Sequence, residues 1–225
     1  MSTNLMGTKR PPLNVVVGFF MILCSVFVTS LASSSDAQAA GKRPGHVYLL
    51  RGVLNVFSLG LDQLAYKLQA AGVSSSVQNY LGWRGLADDI IAAYRSGDRE
   101  PIVLIGHSAG ADATIDIARK LQGSGVPVAL IVNFDPVSPA PVPPNVRQIV
   151  NYYVPAGWGQ AVSADKRFKG NLANVNEDAT DNHFSIDKSE NLHRKTIAKV
   201  LQITGGARRA PKKPANAHVS AAPAQ

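Results

Sequence analysis

Residues 101–121 read PIVLIGHSAGADATIDIARKL, and no other stretch narrows the fold so far. Ile102–Val103–Leu104–Ile105 is an unbroken apolar run, as in a strand buried on both faces. Gly106-His107-Ser108-Ala109-Gly110 follows, and from Ala109 onward the apolar positions recur at helical spacing. A strand that becomes a helix within five residues, with a serine between two glycines, must turn sharply. Two readings of Ser108 stand at this point. It is a small polar residue filling a turn, or a nucleophile raised at its apex.

The surrounding chain repeats the strand–helix alternation. HVYLLRG (46–52) reads as a buried strand. LGLDQLAYKLQAAG (59–72) reads as a helix with Leu61, Leu64, Ala65 and Leu68 on one face, stopped at Gly72. SSSVQNY (74–80) is a weaker strand, and 84–97 is a helix with Leu86, Ile90 and Ala93 or Tyr94 inward. Strand 101–106, helix 109–122 and strands 126–134 and 146–154 follow, then a long irregular stretch and a last helix at about 187–203. Apolar strands separated by helices predict an α/β fold, a mostly parallel sheet with helices on both faces. Ligands of such sheets bind at the carboxyl ends of the strands. A functional Ser108 therefore requires partners at the ends of later strands, and a structural serine does not.

Both termini differ in composition from this region. Lys9 and Arg10 precede an apolar run at 13–32, and small residues with an A-x-A site at Ala37-Gln38-Ala39 follow. That order is the pattern of a secretory signal, so residues 1–39 are expected to be a leader, with a membrane anchor at 13–32 as the rival. The folded domain is placed at 40–204, and export to the periplasm or beyond is the expected location. The only cysteine, Cys24, lies in the leader, which excludes a disulfide framework and a thiol nucleophile from the domain. Residues 205–225 carry four cations and no acid among Ala and Pro, and read as a disordered basic tail able to touch an acidic envelope surface. Of the net charge of +8, this tail holds four and residues 1–40 one, which leaves three on the remainder. Such a surplus is no nucleic-acid footprint, and no nucleic-acid motif is present.

Partners for Ser108 do appear. Asp135 follows strand 126–134 directly, in NFDPVSP, and His183 stands in DATDNHFSID just before the final helix. Ser, Asp and His in that order, with G-x-S-x-G between a strand and a helix, resemble the α/β-hydrolase superfamily in its lipase, esterase and thioesterase branch, over residues 45–203. The resemblance implies a minimal α/β-hydrolase fold. It makes Ser108 the nucleophile, His183 the base and Asp135 the residue that holds the imidazole. Gly106 and Gly110 become the elbow glycines. The peptide N–H of Ala109 becomes one oxyanion donor, and that of Val53 or Leu54, in RGVLN, the second. Many lipases have His-Gly where this chain has Arg51-Gly52.

Other candidates are weighed against these. Asp165 and Asp181 are rival acids, and Asp181 is only two residues from His183. His193 falls inside the last helix, His107 is expected to pack within the elbow, His46 opens a strand and His218 lies in the tail. Trp83 and Trp158 follow strand ends and could line an acyl pocket. No metal-binding motif and no dinucleotide or phosphate loop is present, so neither metal nor cofactor is expected. Loop 155–182 is the expected substrate-contacting segment.

The expected substrate is a small molecule, a short- to medium-chain carboxylic ester, because an exported enzyme would not meet coenzyme A or carrier-protein thioesters. A thioesterase or acyltransferase of the same fold is the alternative. A non-catalytic hydrolase-like protein binding lipid or an envelope component is a further one. Oligomeric state is not legible.

Overall fold

The computed structural model describes residues 42–53 and 55–205 of the 225. The leader with Cys24, the expected donor Leu54 and the tail beyond Gly205 lie outside them. Strand β1 (His46–Arg51) leads through a short turn to helix α1 (Gly60–Ala70), then β2 (Ser74–Asn79) and α2 (Trp83–Arg95). The elbow segment supplies β3 (Ile102–His107) and α3 (Ala109–Gly123). Strands β4 (Leu130–Phe134), β5 (Gln148–Tyr153) and β6 (Asn171–Asn176) follow, and helix α4 (Glu190–Thr204) closes the described chain.

The strands form a six-stranded sheet in the order β2-β1-β3-β4-β5-β6, every pair parallel. Side chains of a strand alternate between its faces, and β3 shows why its sequence has no polar alternation. Ile102 and Leu104 enter a core made with α2 and α3, while Val103 and Ile105 enter a second core made with α1 and α4. Both faces are covered, so all six of its residues are buried. The predicted stripe Leu61, Leu64, Ala65 and Leu68 is the buried face of α1, and Gly72, at φ 81°, follows its end. On α2 the buried face is Leu86, Ala87, Ile90 and Ile91, and Tyr94 only flanks it.

Two expectations need correction. Strand 126–134 is shorter than its apolar run. Pro127 has no N–H for a ladder, and residues 126–129 contribute only an isolated bridge between Val128 and Val146. The stretch before the last helix is not wholly irregular either, since it holds β6 at the edge of the sheet. The other edge is β2, SSSVQN. Both are polar, as befits strands with one open side. Among the described residues no helix is long and apolar enough to cross a membrane.

Candidate active site

The strands β3, β4 and β5 end side by side, and three loops converge there. The first carries Ser108, whose backbone sits at φ 58°, ψ −130°. A non-glycine residue pays about 1–3 kcal/mol for such a conformation. Its neighbours impose it: the Ser108 N–H donates to the Phe134 carbonyl at the end of β4 (3.0 Å). The flanking glycines are there for space. A Cβ on Gly106 would stand 2.3 Å from the Gly110 carbonyl oxygen, and one on Gly110 would stand 2.1 Å from that of Leu50. The turn can therefore close only on bare backbone.

Asp135 also has positive φ, 54°. Its N–H donates to the Tyr152 carbonyl on β5 (2.8 Å), and its side chain is wholly buried. One carboxylate oxygen accepts the Val154 N–H (2.6 Å) and the other meets His183 Nδ1 (2.6 Å). His183 comes from the loop between β6 and α4 and is 8% exposed. Its second nitrogen, Nε2, lies 3.1 Å from Ser108 Oγ. An imidazole whose Nδ1–H donates to a carboxylate presents a bare Nε2, and a bare Nε2 accepts the serine proton. The three side chains therefore form one directed hydrogen-bond line.

The other candidates are elsewhere. Asp181 accepts from Ser185 Oγ (3.1 Å), and Asp165 accepts the Arg167 N–H (2.9 Å), which first among several causes holds it below the usual carboxylate range. His193 is buried, and its Nε2 donates to the Asp187 carbonyl (2.6 Å). His46 stands at the opposite end of the sheet with Asp98 and Glu100, the one grouping of three such side chains among the described residues. Trp83 packs on the α2–α3 core under Arg84. Trp158 instead stands 62% exposed with its ring edge-on to His183, centroids 4.9 Å apart. Arg51, where His stands in many lipases, is paired with Asp62 of α1.

A cavity of about 940 Å³ opens over Ser108 and His183. Its walls are apolar: Val53, Phe57, Val137, Pro155, Trp158 and Phe184. That volume is at the upper end for small-molecule clefts. Of the expected contact loop 155–182, only the segment from Pro155 to Gln160 reaches the cavity from its start, because residues 171–176 are committed to β6. Lys188 Nζ fastens the aromatic rim, donating to the carbonyls of Phe57 (3.2 Å) and Phe184 (2.6 Å). Among the described residues neither the Ala109 nor the Val53 peptide N–H donates to a protein acceptor. Val53 lines the cavity over Ser108.

Several residues here carry no signal readable from sequence. A Cβ on Gly159 would stand 1.6 Å from Asp135 Oδ1, so the loop after β5 can cover the carboxylate only with glycine. Gly52 likewise lies flat against Ser108, whose Cβ would be 2.8 Å from an added Cβ. Asp112, in the first turn of α3, accepts the N–H groups of Val137 (3.2 Å) and Ser138 (3.1 Å) and so ties down the loop beyond Asp135. Burial pushes its carboxyl up to about 6, against those N–H groups.

Residues 60–148 match the family model of the thioesterase domain. The matched segment runs from α1 to the start of β5 and includes Ser108 and Asp135 but not His183. No curated protein matches the sequence. Among solved structures the chain is similar to the type II thioesterase BorB of the borrelidin biosynthetic cluster, at 13% identity over 75% of this chain and 94% of that one, TM-score 0.49. It is also similar to human thioesterase 2 (11%, 72% and 99%, TM-score 0.48). A third likeness is to a protein of Xanthomonas campestris pv. campestris assigned to the α/β-hydrolase superfamily (18%, 70% and 98%, TM-score 0.43).

Proposed function

We propose, taking as premise that the chain is a hydrolase of the α/β-hydrolase superfamily, that it cleaves acyl thioesters through a covalent acyl-Ser108 intermediate. The observation that carries the reading is the directed line from Ser108 Oγ through His183 to the buried carboxylate of Asp135, on the floor of an apolar cavity. In the proposed reaction His183 Nε2 takes the Ser108 proton as Oγ attacks the acyl carbonyl carbon. Asp135 keeps the proton on Nδ1 and stabilises the imidazolium. The oxyanion is received by the N–H groups of Ala109 and Val53, the former at the positive end of α3. The tetrahedral adduct collapses, the carbon–sulfur bond breaks, and Nε2–H protonates the departing thiolate. Water, deprotonated by the same nitrogen, then releases the acid and restores Ser108.

The thioester, rather than the oxygen ester expected from the sequence, is favoured by the match of residues 60–148 to the thioesterase domain. The acyl chain would lie against Phe57, Trp158 and Phe184, where apolar burial contributes about 25 cal/mol per Å². The leader-like segment 1–39 favours a second reading, an exported enzyme acting on carboxylic esters.

The test is one comparison. Acyl-N-acetylcysteamine thioesters and p-nitrophenyl esters of equal chain length are offered to the same preparation, with fluorophosphonate labelling of Ser108 as a control. The expected result is a higher kcat/KM for the thioester and labelling lost in Ser108→Ala. A clear preference for the oxygen ester returns the second reading, and absence of both turnover and labelling rejects serine hydrolysis. Sequencing the N-terminus of exported protein separately tests removal of residues 1–39.

A further inference from the structure

Ser58 and His107 take no part in that reaction, yet both are buried beside it. Ser58 ends the short turn that follows β1, and His107 is the residue before the nucleophile. Three hydrogen bonds run through them, and their direction is fixed. The backbone carbonyl of His183 can only accept, so the proton of the His107 ring is on Nε2 (2.8 Å). Burial holds this imidazole below its usual range, outweighing the nearby Asp187 carboxylate, so the ring is neutral. Nδ1 is then bare and accepts the Ser58 hydroxyl (2.8 Å), and Ser58 Oγ accepts the Gly52 N–H (3.0 Å). Gly52 is the residue before Val53.

We propose that His107 is a positioning residue, a strut of fixed proton order that sets the oxyanion loop and the base loop against one reference. Its two ends reach parts of the site that no strand connects. One end holds Gly52 and hence the adjoining Val53 N–H. The other holds the backbone of His183, whose imidazole stacks obliquely on the His107 ring, centroids 5.0 Å apart. The strut is joined covalently to Ser108, so nucleophile, oxyanion donor and base are all registered to a single imidazole. A residue present only to fill space could be apolar, since a buried imidazole must be given a partner at each nitrogen. Here both nitrogens are engaged, and each partner is part of the site or adjoins it. The inference rests on the roles proposed for Ser108, His183 and Val53.

The experiment has two independent arms. In the wild-type protein, labelled with ¹⁵N-histidine, NMR at neutral pH should find His107 as the neutral Nε2–H tautomer. An Nδ1–H tautomer or an imidazolium overturns the proposal, whether or not the protein hydrolyses anything. In the second arm, thioester kinetics compare Ser58→Ala, His107→Leu and His107→Gln. A carboxamide offers one acceptor atom and one donor atom, as the neutral ring does, whereas leucine offers neither. Ser58→Ala and His107→Leu should lower kcat by roughly tenfold to a hundredfold with KM within about twofold, as for loss of residues that orient a catalytic group. His107→Gln should recover most of the loss. Full kcat in Ser58→Ala, equal impairment of the Gln and Leu variants, or a loss confined to KM overturns the strut. If His107→Leu does not fold, Ser58→Ala and the tautomer decide. A wild type without hydrolytic activity removes the proposed function alone, and the tautomer then decides the strut.

Discussion

Two histidine–carboxylate pairs stand at opposite ends of the same sheet, and they differ in nearly everything except composition. At the carboxyl ends of the strands His183 Nδ1 meets Asp135 at 2.6 Å, with side chains 9% and 0% exposed. At the amino ends His46 Nε2 meets Asp98 at 2.9 Å and Glu100 at 3.5 Å, with His46 32% and Asp98 34% exposed. His46 turns one nitrogen toward both carboxylates. His183 uses its two nitrogens in opposite directions, one toward the acid and one toward a hydroxyl. Water screens the His46 pair and is largely kept from the His183 pair. An ion pair between exposed groups is worth about 0–1 kcal/mol and performs no chemistry. In the proposed reaction the same two residue types serve as an acid–base device, because burial, direction and a third group are added.

The largest expected effect comes from removing the directed line. Ser108→Ala or His183→Ala should cut kcat by roughly 10⁴-fold on any acyl substrate, with the circular dichroism spectrum unchanged. Asp135→Asn should be severely impaired too. Turnover surviving in Asp135→Asn would put the two histidine–carboxylate pairs on the same footing and dissolve the contrast.

A smaller effect is expected from Gly159→Ala. The added Cβ meets Asp135 Oδ1 at 1.6 Å, so the carboxylate or its covering loop must move by an ångström or more. A displacement of that size costs about a hundredfold in rate. Steady-state kinetics on a protein with wild-type melting behaviour would measure it, and an unimpaired variant would show that the Asp135 geometry is not critical.

Smaller still is a stability effect at Asp112. Its folded pKa of about 6 lies above the ordinary carboxylate value of 3.8. Folding therefore takes up a proton between those values. The contribution of this group is most favourable below about pH 4 and is lost as pH rises through about 6. Asp112→Asn keeps an acceptor for Val137 and Ser138 without the buried charge. Its melting temperature should exceed that of the wild type by about 2–4 °C at neutral pH and match it near pH 4. A constant offset across pH would assign the effect to packing instead.

The smallest effect is expected at the other pair. His46→Ala should change stability by no more than about 1 kcal/mol and leave kcat untouched. Salt titration of its melting curve would show the screening that the buried pair lacks. Loss of activity in this variant would join the two ends of the sheet in a way their separation gives no reason to expect.

The legible parts of the molecule are those where one physical demand acts on consecutive residues. β3 is readable because burial on both faces excludes polar residues from it, and α1 because burial on one face repeats Leu61, Leu64, Ala65 and Leu68 at helical spacing. β6 escapes because its two large apolar side chains, Leu172 and Val175, serve opposite cores. They are three apart, a spacing that suggests a helix rather than a strand. The positions of Ser108, Asp135 and His183 follow from chain order and strand ends. Ser58, Gly159 and Asp112 do not, because each is defined by a contact across 24 or more positions of sequence and has an ordinary local setting.

The loop that bears His183 is pinned from behind by the last helix region: Asp187 accepts the Gly60 N–H at the head of α1 (2.9 Å), and Lys67 of α1 pairs with Glu190 of α4 (2.6 Å). The two helices concerned are the first and the last of the described fold. During synthesis, Ser108 and Asp135 leave the ribosome long before the residues that hold His183 in reach, and such long-range closure comes late in folding. A growing chain therefore carries a silent serine. On the proposed mechanism its reactivity is switched on only when the region that holds His183 has folded, so a product of translation truncated before that region would be inert rather than an unguarded hydrolase.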